Sequence, residues 1–183
     1  MSIVLVGSTS GSITLQEPAV AGTTVLSLPA VTGNVLTDTS PKAGNVIQVV
    51  QGTATSASTT SSSFVTTGLA ATITPSSSSS RILVVVSLVQ LAISVQNQNG
   101  TSTIFRGATN IAPTGSGLHK CFAGNYFASG GATATNQTYS HLDSPATTSS
   151  TTYTVYFAVE GGATITMGVN SNTSYIQLLE IAG

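Results

Sequence analysis

The sequence predicts an all-β fold: an extended N-terminal β arm followed by a sandwich or jelly roll of short strands. Three observations predict it. Apolar and polar residues alternate with a period of two in several segments, as half-buried strands require. Clusters of Ser, Thr and Gly recur between those segments and supply turns. No window of helical length carries a persuasive helical period, and good helix formers are scarce.

The 183 residues suit one domain with an appended arm. Only 5% are charged, against about 25% in an ordinary soluble domain. Serine and threonine supply 57 residues, so hydroxyls and amides make the surface. The hydrophobic fraction is 40%, which predicts folding rather than disorder. A net charge of −1 gives no basic stripe, so nucleic acid is not an expected partner. So uncharged a surface has little self-repulsion, which suits a fixed place in an assembly. Cys121 is the only cysteine, so no intrachain disulfide forms. The N-terminus lacks the basic region of a standard secretory signal. The most apolar run, 82–95, is interrupted by Ser87, Gln90 and Ser94. It is shorter than the roughly 20 residues of a membrane helix and reads as a buried strand, so no membrane is expected either.

Residues 1–44 read as the arm. Leu15-Gln-Glu-Pro18-Ala19-Val20-Ala-Gly22 and Leu26-Ser-Leu-Pro29-Ala30-Val31-Thr-Gly33 share the pattern L-x-x-P-A-V-x-G. Each copy has a strand-like stretch before its proline, 12–16 and 24–28. Proline then ends pairing and glycine turns the chain. Two units are too few for a solenoid with its own core. The arm's Ile13, Leu15, Pro18, Val20, Leu26, Leu28, Pro29 and Val31 are therefore expected to pack on a neighbouring copy or a partner surface. Pro41-Lys-Ala-Gly44 marks an expected hinge.

Residues 45–183 read as one strand-rich domain. Expected strands are 46–51, 64–67, 69–74, 81–95, 102–106, 120–127, 138–142, 153–160, 163–169 and 175–181. Tyr153, Val155 and Phe157 fall on one face, and Ile165, Met167 and Val169 oppose Thr164, Thr166 and Gly168. The serine run 76–80 and the stretches 56–63 and 144–152 read as loops.

Signatures of chemistry are sparse, and the chain is not expected to be an enzyme. His119 and Cys121 lie two apart, on one side of the expected strand, but a zinc site needs about four ligands, or three and a water. They read as a polar rim residue beside a small buried thiol. His141-Leu142-Asp143 lacks a nucleophile elbow and reads as a strand end, with Asp143 capping Ser144-Pro145. Glu160 precedes Gly161-Gly162, a hairpin signal, and Glu180 sits near the end of the last strand. Nothing brings those two together as a glycosidase pair. No cofactor or metal is expected. Arg81 and Arg106 bound apolar strands. Each is either exposed at a strand end or buried in an ion pair, with Asp143 and Glu160 the candidate partners.

The arm, Gly7-Ser-Thr-Ser-Gly-Ser-Ile-Thr-Leu with its two Pro-Ala-Val-x-Gly units and Val35-Leu36-Thr37, resembles N-terminal segments of tail-fibre and head-associated proteins of tailed bacteriophages, especially those of cyanobacteria and marine bacteria. Ile73-Thr-Pro-Ser-Ser-Ser-Ser-Ser-Arg81-Ile-Leu-Val and Tyr139-Ser-His-Leu-Asp143-Ser-Pro-Ala-Thr-Thr resemble the knob that follows such arms. The resemblance implies a homotrimeric knob with a jelly roll of the tumour-necrosis-factor type. It also implies a place on the virion exterior after synthesis in the host cytoplasm. No long shaft separates arm from knob, which favours a capsid decoration or cement protein bound to the major capsid protein. The alternative is a tail-fibre or head-fibre tip, held by a tail adaptor protein, that binds a host receptor or, weakly, a glycan. With Trp absent and aromatics at 5%, sugar stacking has little to work with.

Overall fold

The computed structural model describes residues 3–6, 9–15, 41–95, 97–126 and 134–183. The chain divides into two compact units, Met1–Val35 and Leu36–Gly183. In the first, β1 (Ile3–Val6) and β2 (Ser12–Leu15) pair antiparallel, with Leu5 opposite Ile13 and Ile3 opposite Leu15. Val4, Leu5 and Val6 are exposed. The expected strand at 12–16 is therefore present, paired with a partner the twin-repeat pattern does not reveal. The second expected arm strand, 24–28, lies outside the described residues, as do Pro18, Val20, Leu26, Leu28, Pro29 and Val31.

The second unit carries β3 (Val46–Ala54), β4 (Ala57–Thr59), β5 (Val65–Ile73), β6 (Arg81–Ile93), β7 (Asn99–Arg106), β8 (Thr109–Asn110), β9 (Ala123–Tyr126), β10 (Ala134–Asp143), β11 (Thr151–Val159), β12 (Ile165–Met167) and β13 (Ser174–Ile181). One sheet runs β3-β13-β6-β10, with β12 and β4 continuing it beside the far half of β6. The other runs β5-β11-β7, with β8 and β9 on the outer edge of β7. Among β3, β5, β6, β7, β9, β10, β11 and β13, the first pairs with the last, β5 with β11, β6 with β10, and β7 with β9, all antiparallel. This nested pairing across two sheets is a jelly roll.

Alternation builds the core. Val84, Val86, Leu88, Ile176 and Leu178 from one sheet meet Leu69, Ile104, Tyr153, Val155 and Phe157 from the other, all buried. Two bulges adjust the pattern. Gly68, at φ 78°, joins the two expected strands 64–67 and 69–74 into β5, with Thr67 and Leu69 both buried. In β6, Val89 and Gln90 together oppose the single residue Asn136. The inward set therefore switches from even positions, 82 to 88, to odd positions, Leu91 and Ile93. At Gly52 the two sheets close tightly, and a Cβ there lies 1.8 Å from the Ala70 carbonyl oxygen.

Several expectations need correction. Residues 117–122 are not strand: Gly117–His119 is one turn of 3-10 helix, and β9 begins only at Ala123. His119 and Cys121 thus share no strand face. Gly161 and Gly162 turn the chain at φ 66° and 74°, yet β11 and β12 pair in different sheets, so the turn is a crossover and not a hairpin. The 56–63 loop contains β4, paired with β12. At the expected hinge, Gly44 N–H donates to Ala182 O (2.8 Å) and Ala182 N–H to Asn45 O (2.9 Å), fastening that turn to the end of β13.

Candidate functional site

Alternation places carboxylates at the inner ends of strands, where each must find donors. Glu180 follows Ile176 and Leu178 on the inward face of β13 and is buried. Its carboxylate accepts Gln48 Nε2 (2.5 Å), Ser76 N–H (2.7 Å) and Ser76 Oγ–H (2.7 Å). Burial pushes the Glu180 pKa up, but the neighbouring Ser80 hydroxyl and the donors Gln48 and Ser76 outweigh it and hold the carboxyl below its usual range. Ser80 acts there as a nearby dipole, since its buried Oγ makes no hydrogen bond within bonding geometry. The serine loop thus has a structural duty: it caps a buried charge.

Asp143 stands in the same cross-strand row, opposite Ile82, which in turn opposes Glu180. Arg106 points inward from the end of β7, directly opposite Tyr153. Arg106 Nη1 donates to both Asp143 oxygens (3.0 and 2.8 Å), and Tyr153 Oη donates to Oδ2 (2.7 Å). The cluster ties the rims of the two sheets together. Burial and the bond to Asp143 raise the Tyr153 pKa, so it stays a donor. The ion pair considered for Arg106 and Asp143 is therefore present but only partly buried, since Arg106 stays partly exposed, and Asp143 serves it rather than capping Ser144-Pro145. Arg81 is exposed and pairs with neither Asp143 nor Glu160. Glu160 lies at the opposite end of β11 from Tyr153, accepts Asn99 Nδ2 (2.7 Å), and does not meet Glu180.

His141 packs against Phe122 (ring centroids 5.1 Å apart), and Phe122 stacks on Tyr139. Burial raises the Cys121 pKa, away from thiolate chemistry. Among the described residues no three His, Cys, Asp or Glu side chains gather as metal ligands.

The outer face of the β3-β13-β6-β10 sheet has a different character. Val49, Leu179, Leu83 and Leu142 form one unbroken cross-strand row. Val49 is 59% exposed and Leu142 37%. Val46 and Ile181 flank the row on one side, and Gln51, Gln177, Val85 and Ser140 form the next. Among the described residues, Arg81 is the only formally charged one paired into this face. A contiguous apolar row on a sheet face, with a single charge at its edge, is the feature that marks protein contact. Sequence reading did not single it out, although Leu83, Val85, Leu179 and Ile181 alternate with core positions and could have flagged it. Of the arm's candidate contact residues, Ile13 and Leu15 lie in β2.

No protein-family model matches this sequence, and no curated protein matches it significantly.

Proposed function

We propose that this chain is a structural protein of a tailed-bacteriophage virion: a homotrimeric decoration or cement protein on the capsid exterior, attached to the major capsid protein through its N-terminal arm. The observation that carries the reading is the apolar outer face of the β3-β13-β6-β10 sheet, which a second copy covers in the assembled trimer. Each half-exposed aliphatic chain there contributes about 1 kcal/mol on burial, half the ~1.5–3 of a whole side chain. The near absence of charge removes repulsion between identical faces. Three copies, and not two, follow from the resemblance to trimeric knobs. The role is passive: many copies bridging capsomers add weak contacts that together raise the force or heat needed to rupture the shell. The donors already committed to Asp143, Glu160 and Glu180 suit such a role better than proton transfer.

Light scattering of the full chain tests the assembly. The expected mass is three times that of one chain. Val49→Asp/Leu142→Asp places charge on already exposed positions, so it should give a folded monomer with an unchanged far-UV circular dichroism spectrum. A wild-type monomer at micromolar concentration, or a double variant that stays trimeric, overturns the proposed interface. Copy number in purified virions tests the location: hundreds support decoration, a few to a few dozen indicate a fibre tip, and absence rejects both.

A further inference from the structure

The same outer sheet face ends differently beside β12. There Ser56, Ser94, Thr164, Thr166, Asn170 and Ser171 surround a cavity of about 480 Å³ whose floor includes Ala92 and Ile93. Among the described residues no ionisable side chain lines it. Ser94 Oγ accepts Thr164 N–H (2.8 Å) and keeps its own proton to donate. The other five polar side chains spend no hydrogen bond on any described residue.

One wall is unusually constrained. Gly168, Asn170 and Ser171 all have left-handed backbone, at φ 69°, 59° and 60°. Gln90, at φ 49°, is bonded to the same wall. Left-handed conformation is uncommon for residues with a Cβ, and clusters of it are held in place by their surroundings. Those surroundings are visible here. Asn172 Nδ2 donates to Val169 O (2.7 Å) and to Gln90 Oε1 (3.0 Å). Gly168 N–H donates to Val89 O (3.0 Å), and a Cβ on Gly168 would lie 1.8 Å from Thr55 O. The β6 bulge, which sets Ala92 facing outward, is pinned by Gln90 N–H to Asn136 Oδ1 (2.9 Å).

We propose that this cup binds an uncharged saccharide unit. Hydroxyls and an amide, each able to donate and accept, match the dual character of sugar hydroxyls. The volume suits a small ligand. The absence of charge offers nothing to a phosphate or a sugar acid, and the absence of an aromatic platform sets the expected affinity in the millimolar range. Ala92 lies nine positions beyond Leu83 on β6, roughly 30 Å along a strand, so the cup is well separated from the apolar row. The inference is therefore independent of the proposed trimer.

Saturation-transfer NMR on the full chain is the test, with glucose, galactose, mannose and N-acetylglucosamine as neutral probes and N-acetylneuraminic acid as the charged one. At least one neutral sugar should receive saturation at millimolar concentration. Thr164→Val/Thr166→Val removes two hydroxyls at nearly constant shape and should weaken that signal at least five-fold, with an unchanged circular dichroism spectrum. Transfer to none of the neutral sugars, stronger transfer to the acid, or an undiminished signal in the double variant overturns the proposal.

Discussion

Replacing Arg106 with alanine should destabilise the jelly roll by about 2–3 kcal/mol, somewhat less than the ~3–5 of a fully buried pair. The reduction follows from geometry. Asp143 is 10% exposed at its side chain, but Arg106 is 31% exposed, so water can reach part of the carboxylate once the guanidinium is gone. The Tyr153 hydroxyl remains as a donor at 2.7 Å, and it alone cannot neutralise the charge. For a domain of this size each kcal/mol moves the melting midpoint by about 2–4 °C, so the expected drop is about 5–10 °C. Asp143→Asn removes the charge but keeps an oxygen for Tyr153, and should cost about 1–3 kcal/mol. Combined, the two changes should cost clearly less than their sum, because an amide beside Tyr153 is not an unpaired charge. Thermal melts followed by far-UV circular dichroism at pH 7 give all three values. Protein concentration must be held fixed, since self-association makes the midpoint concentration-dependent. An unchanged midpoint for Arg106→Ala, or strictly additive effects in the double variant, refutes the reasoning.

Two further outcomes follow from the packing. Glu180 has a folded pKa below its ordinary value of 4.5, so the stability it contributes is present above about pH 4.5 and lost as pH falls through the lower folded value. Urea melts between pH 6 and 3 should show that loss, and Glu180→Gln should flatten it while lowering stability at neutral pH. Stability that rises on acidification over this range contradicts the assignment. Gly52→Ala should cost about 1–3 kcal/mol or more, because its Cβ meets backbone oxygen at 1.8 Å. Gly124→Ala, where the nearest atom is at 3.7 Å, is the control, and equal urea midpoints for the two variants would remove the close approach as a cause.

The period-two pattern determined most of the domain. It placed Tyr153, Val155 and Phe157 on one face and Thr166 opposite Ile165 and Met167, because in a strand the side-chain direction follows from residue parity alone, and the structure buries the first set and Ile165 and Met167. It also contained Glu180, two residues beyond Leu178 on the core face, although that reading was not drawn from it. Parity fails where the backbone slips. The single apolar run 82–95 conceals a bulge at Val89–Gln90 that exchanges the two faces, and hydrogen bonds with residues distant in sequence, Asn136, Gly168, Asn172 and Ser174, hold it there. Pairing partners are likewise non-local. Arg106 had Asp143 and Glu160 as equal candidates from composition, and the choice fell to Asp143 because β7 and β10 end at the same rim, whereas Glu160 sits at the other end of β11. The apolar row Val49, Leu179, Leu83 and Leu142 is assembled from four strands spread over 131 residues. Each member looks ordinary in its own segment. The row exists only through strand register, and register is set by the whole sheet closing over its core.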